Sequence, residues 1–193
     1  MLTSENQSFY DTAEHEYREQ HSIENLYEAR CLAMELAKRG MRKKVIPHLL
    51  PAACPCDTEL NRLYEELRTR GIRPNAGRLP KSCVSIFMTP EECIAASQLL
   101  LSYNVWRKPE WQIDPWAICH VWDERPCKLH FAIDATVLWF LARDQRTKEV
   151  YLEKCPDCHA QHIYFTELAP GAKRNRCPYC MLAGGAKPRK QRK

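Results

Sequence analysis

Glycine-rich phosphate loops and glycine-turned β-barrels are disfavoured from the outset, because only 6 glycines occur among 193 residues. Long apolar runs are also missing. A bilayer-spanning helix needs about 20 apolar residues, and the best run here is Val137 to Ala142. The first residues are acidic and polar (Glu5, Asp11, Glu14, Glu16, Glu19), unlike the basic, then apolar start of a signal peptide. The expectation is a soluble protein of the bacterial cytoplasm with no membrane partner. No G-x-S-x-G, P-loop or dinucleotide fingerprint occurs, so the standard enzyme motifs are absent. His15-Glu16 and His21 superficially resemble a zinc-protease helix, but the histidines are six apart instead of four and would not share a face. The chain is read as not an enzyme.

Cysteine is plentiful, with 11 residues. Four fall into C-x-x-C pairs, and the odd remainder has no framework spacing, as expected of reduced thiols rather than a secreted disulfide scaffold. Cys31, Cys93 and Cys119 are expected to be small buried apolar groups. The pairs are Cys155-Pro156-Asp157-Cys158 and, after eighteen residues, Cys177-Pro178-Tyr179-Cys180. Two such turns supply four thiolates, which closes a tetrahedral site without an open position. The separation lies within the C-x2-C-x15–20-C-x2-C range of zinc sites. One structural Zn2+ held by Cys155, Cys158, Cys177 and Cys180 is therefore expected. Thioredoxin-type redox chemistry is the rival, but it belongs in a βαβ context that is missing here. His159 and His162 are close enough in sequence to replace a cysteine, a weaker reading with four cysteines at hand.

Charge is distributed unevenly. Residues 1–30 carry a net −5, residues 38–81 a net +7, and Lys173 to Lys193 has eight bases and no acid. Two basic blocks suggest a polyanionic partner. Arginine dominates the first block and suits phosphate forks.

Periodicity and breakers divide the chain into a 1–21 acidic extension, a 22–81 helix-turn-helix region with a basic loop, an 82–152 helical domain, a 153–183 four-cysteine zinc module and a 184–193 basic tail. A helix is expected from Ser22 to about Arg39, ended by Gly40. A second, over Met41 to Leu50, contains Pro47, which is costly unless it falls in the first turn. After Pro51 to Cys56, Asp57 is expected to cap a helix running to about Arg70, with Leu60, Leu63, Tyr64 and Leu67 inward. Thr89-Pro90-Glu91-Glu92 combines a capping box with proline at the first helical position and predicts a helix to Tyr103. Further helices are expected near Trp116–Trp122 and over Ile133–Asp144, with short strands at 150–152 and 162–165. The tryptophans at 106, 111, 116, 122 and 139 are expected in a core or partner interface. The fold class is mainly α: a helical domain containing a helix-turn-helix, then a small zinc-ribbon-like module with four cysteines and short β-strands.

In a helix-turn-helix the second helix enters the major groove. Thr58, Asn61 and Arg62 would then face base edges, where Asn suits adenine and Arg suits guanine. Arg68, Arg70, Arg73, Arg78 and Lys81 would hold phosphates.

Several runs also match a known family: Glu28-Ala29-Arg30, Leu32 to Leu36, Gly40, Leu60 to Leu67, Gly77-Arg78-Leu79-Pro80 and Phe87-Met88-Thr89. Together with the cysteine pairs, they make the chain resemble the FlhC family, the larger subunit of the bacterial flagellar master activator, over roughly residues 22–182. The resemblance implies a sequence-specific transcriptional activator. It would act in a hetero-oligomer with an FlhD-like subunit, on double-stranded promoter DNA, by recruiting RNA polymerase. The acidic extension, tryptophan-rich middle and basic tail depart from the flagellar pattern. They favour the branch on conjugative plasmids and integrative elements, which controls transfer genes. The competing expectation is a zinc-ribbon module that binds protein or RNA. A nuclease would need clustered carboxylates, which the basic block lacks.

Overall fold

The computed structural model describes residues 26–50, 56–72, 79–109, 112–124, 134–168 and 171–184. They are mainly helical, with two short strands. The chain divides into two compact units, residues 1–75 with 108–111, and residues 76–107 with 112–193. The expected helical stretch (82–152), apart from residues 108–111, and the expected cysteine module (153–183) fall in the second unit.

In the first unit, α1 (Leu26–Lys38) buries Ala29, Leu32, Ala33, Leu36 and Ala37 completely. This is one face of a 3.6-residue repeat. Position 31 lies off that face, so Cys31 is exposed, contrary to expectation. Gly40, at φ 84°, ends the helix. Its N–H donates to the carbonyl of Ala37, while that of Met41 donates to Leu36. This is the Schellman arrangement, in which a left-handed residue turns the chain back over the last carbonyls. The expected helix start at Ser22 lies outside the described residues.

The helix expected over 41–50 is reduced to a 3-10 turn, Lys43–Val45, and a four-residue α2, Ile46–Leu49, with Pro47 in its first turn. Proline is tolerated there because the N–H it lacks would have had no intrahelical partner. Helix α3 (Asp57–Thr69) buries Leu60, Tyr64 and Leu67. Its cap falls one residue before the expected Asp57, at Cys56, whose N–H donates to Glu59 Oε2. The Tyr64 hydroxyl donates to the Met41 carbonyl (2.5 Å), tying α3 to the turn after α1. Burial raises its phenol pKa well above the usual value.

The second unit is built around α4 (Pro90–Trp106), which packs against four of its other elements. Its cap is the expected one: Thr89 Oγ1 accepts from the Glu92 N–H, and Glu92 Oε2 accepts from the Thr89 N–H. The helix buries Cys93, Ala95, Ala96, Ser97, Leu99, Leu100 and Tyr103, so apolar contacts run around it. Cys119, on α5 (Pro115–Glu124), is buried like Cys93. Helix α6 (Ala135–Arg146) is capped by Asp134 and buries Trp139 and Phe140. Trp106 and Trp116 are exposed, and Trp106 stacks on His120 with its indole N–H on Glu124. The tryptophans thus divide between core and surface; Trp111 lies outside the described residues.

Strands β1 (Val150–Lys154) and β2 (Gln161–Phe165) form an antiparallel ribbon with Val150 opposite Phe165 and Lys154 opposite Gln161. Its inner face (Val150, Ile163, Phe165) is buried, and β2 packs on α4. There the Ile163 N–H donates to Ser97 Oγ (2.9 Å).

Candidate metal centre

The ribbon places the first cysteine pair. Cys155 follows β1 directly, and its N–H donates to the Ala160 carbonyl while the His159 N–H donates back to the Cys155 carbonyl. The turn closes through His159 at φ 62°, a left-handed conformation uncommon for a residue with a Cβ. The second pair is placed by Asn175, in a 3-10 turn (Lys173–Asn175) beside β2. Its side-chain amide donates to the Phe165 carbonyl and accepts from the Phe165 N–H, both at 3.0 Å. Arg174 adds a bond to the Val84 carbonyl. Cys177 then caps α7 (Pro178–Leu182), and Cys180 lies one turn on.

The four Sγ atoms lie within 4.8 Å of one another. Cys155 and Cys180 are 3.7 Å apart, Cys158 and Cys177 3.5 Å. A tetrahedral ion with Zn–S bonds of about 2.3 Å needs sulfurs about 3.8 Å apart, so the cluster can hold a metal ion and is compatible with one zinc. His159 and His162 are not part of this group. His162 is buried, and its Nδ1 lies 3.1 Å from the Ile163 carbonyl.

Burial pushes the Cys155 thiol up, but the N–H groups of Cys158 and Asp157 and the neighbouring thiols outweigh it, bringing it down to about 7. Burial raises Cys177, and the Cys158 thiol followed by burial raises Cys180. Without a cation the cluster resists losing all its protons. A divalent ion reverses this, since thiolate is the ligating form.

A cleft of about 410 Å³ opens beside the cysteines, with Glu153, Asp157, His162, Asn175, Arg176 and Met181 in its walls.

The expected nucleic-acid residues fare unevenly. Thr58, Asn61 and Arg62 are exposed on α3. Arg62 has no ion-pair partner among the described residues, whereas Asn61 Oδ1 accepts from Lys43 Nζ (2.9 Å). Arg68 pairs with Glu65 and Arg70 with Glu66. Lys81 belongs to the second unit, where its side chain is exposed and its carbonyl accepts from Arg143 (2.7 Å). Arg73 and Arg78 lie outside the described residues. Sequence reasoning missed Asn175, Ser97 and Arg174, because a polar side chain that bonds distant backbone carries no local pattern.

No family model and no curated protein matches the chain. No helix among the described residues is long and apolar enough to cross a membrane.

Proposed function

We propose that the chain is the DNA-binding subunit of a transcriptional activator, and that the ion held by its four cysteines is zinc. The observation that carries the first part is Arg62, exposed beside Thr58 and Asn61 on the outer face of α3 and without an ion-pair partner among the described residues. It stands in a chain whose sequence resembles the FlhC family. α3 serves as the second helix of a helix-turn-helix and enters the major groove, where Arg62 donates two hydrogen bonds to guanine. Asn61 reads adenine only after releasing Lys43. Arg68, Arg70, Arg73, Arg78 and Lys81 hold phosphates, which sets register without choosing sequence. Zinc closes the second unit as a structural ion, since four cysteines leave no position for a reacting water. The subunit acts with an FlhD-like partner at promoters of transfer or motility genes and recruits RNA polymerase.

A second reading is a zinc-ribbon module that binds protein or RNA. It is favoured by the pairing of Arg68 and Arg70 with glutamates on the same helix. The deciding experiment selects bound fragments from genomic and mobile-element DNA, using protein co-expressed with the small subunit encoded beside it. One enriched motif upstream of promoters supports the activator, and the genes behind it separate transfer from motility. Salt-sensitive binding without a preferred sequence overturns it in favour of the interaction module.

A further inference from the structure

Register fixes which side chains share a face of the ribbon. Tyr151 pairs with Tyr164, and two residues along Glu153 pairs with His162. In a two-residue repeat all four belong to the outer face. The tyrosines stack, with ring centroids 4.9 Å apart, and Tyr151 is 41% exposed. At the other end of this face lies the cleft beside the cysteines, with Glu153, Asp157 and His162 in its wall. The His162 Nδ1 lies 3.1 Å from the Ile163 carbonyl. His162 is only 3% exposed and lines the cleft.

The chemistry of this surface is that of a cation receptor. Two carboxylates face one guanidinium, Arg176, among the cleft-lining residues. Four thiolates around a divalent ion add a charge of about −2. Stacked tyrosines offer π-faces to ammonium or guanidinium groups. This surface is acidic, although the chain as a whole has a net charge of +5.

We propose that this face seats the chain's own basic segment, Lys187 to Lys193. The segment holds Lys187, Arg189, Lys190, Arg192 and Lys193 and no acid. Its point of departure is at the cleft: Cys180 and Met181 of α7 line it, and α7 ends at Leu182. Gly184, at φ 89°, turns the chain there. From Gly184 an extended chain reaches about 10 Å by Lys187 and about 30 Å by Lys193, enough to span the cleft and the ribbon. The short tether gives the segment an effective concentration in the millimolar range. The lysines and arginines pair with Glu153 and Asp157 and stack on Tyr151 and Tyr164. A seated segment is withheld from polyanions. The added charge of the thiolate centre rests on the metal reading above, whereas the two carboxylates and the tyrosine pair do not.

The test is zero-length coupling of carboxylates to amines with a water-soluble carbodiimide. It is applied to the full chain as an equal mixture of unlabelled and nitrogen-15 protein, with bound metal measured on the same sample. The expected products join Lys187, Lys190 or Lys193 to Glu153 or Asp157 within chains of a single label. They are lost in the Glu153→Gln/Asp157→Asn variant and at about 1 M salt, where the screening length is only about 3 Å. Products joining the tail only to other carboxylates, or only between differently labelled chains, overturn the proposal; the latter would make a second copy the occupant. A metal-loaded chain without the expected products overturns the docking and leaves the metal reading standing. A metal-free chain that gives them upholds the docking and overturns the metal reading. A metal-free chain without them overturns both.

Discussion

Arg62 and Arg68 sit less than two turns apart on α3, yet the DNA-binding reading proposed above gives them different work. Arg68 is paired with Glu65, whereas Arg62 has no ion-pair partner among the described residues. Arg62→Ala should therefore cost about 1–3 kcal/mol at the cognate site and little on random DNA, as loss of a bidentate guanine contact does. Arg68→Ala should weaken both about equally and lower the salt slope, as loss of a phosphate contact does. Paired titrations on selected and scrambled fragments at two salt concentrations check this; equal losses for Arg62→Ala would remove it from base readout. At Cys155 protons compete with the metal for the sulfur, because ligation requires thiolate. Cys177 and Cys180 are raised above the ordinary thiol range, so affinity should fall throughout as pH drops, and more steeply below about 7, where Cys155 also takes up its proton. Competition with a chromophoric chelator between about pH 8 and pH 6 measures the trend, and a flat profile would mean the thiols are not the ligands.

At the scale of elements, what was legible in the sequence is what local rules govern. Gly40 and Gly71 both stand at positive φ just past the helices they end. The Thr89–Glu92 box closes in both directions as its residue types require. The cysteine spacing brings four sulfurs together because each C-x-x-C turn is itself local, and only the meeting of the two turns is not. Residues 41–50 depart from the expected helix because their apolar spacing is equally satisfied by a 3-10 turn and a single α-turn, with Pro47 preventing a longer helix upstream. Asp144 was legible only as a helix end. Its carboxylate is fully buried and accepts from the Cys83 N–H and from Arg143, partners brought to it by tertiary packing. Asn175 belongs to the same class, and its effect can be tested. Asn175→Ala leaves the Phe165 N–H and carbonyl without their side-chain partner in a buried setting, at a cost of about 1–3 kcal/mol. It also frees the segment that presents Cys177. Chemical denaturation should show the lower midpoint, and faster metal transfer to a chelator should accompany it. An unchanged transfer rate would show that the cysteine pairs hold each other without that bridge.

For the whole molecule, the division into two compact units sets how far the influence of a metal held by the four cysteines would extend. The cysteines close the end of a ribbon that packs on α4, and α4 also touches α5, α6 and α7. The first unit has its own core, made by α1, α2 and α3 around Leu32, Leu36, Ile46, Leu60 and Leu67. On the zinc reading proposed above, a structural ion supplies folding energy directly, and its removal should be felt by everything that shares a cooperative unit with the ribbon. Chelation at neutral pH should therefore speed amide hydrogen exchange across β1, β2 and α7 and, to a smaller degree, along α4. Amides of α1 and α3 should keep most of their protection, because opening proceeds in contiguous cooperative blocks. Ser97 provides an internal reporter, since its hydroxyl accepts from the Ile163 N–H and joins the ribbon to the helix. Exchange at Ile163 should rise sharply and exchange at Leu60 hardly at all. Equal acceleration at both would mean that the two units open as one and that the metal governs the stability of the whole chain.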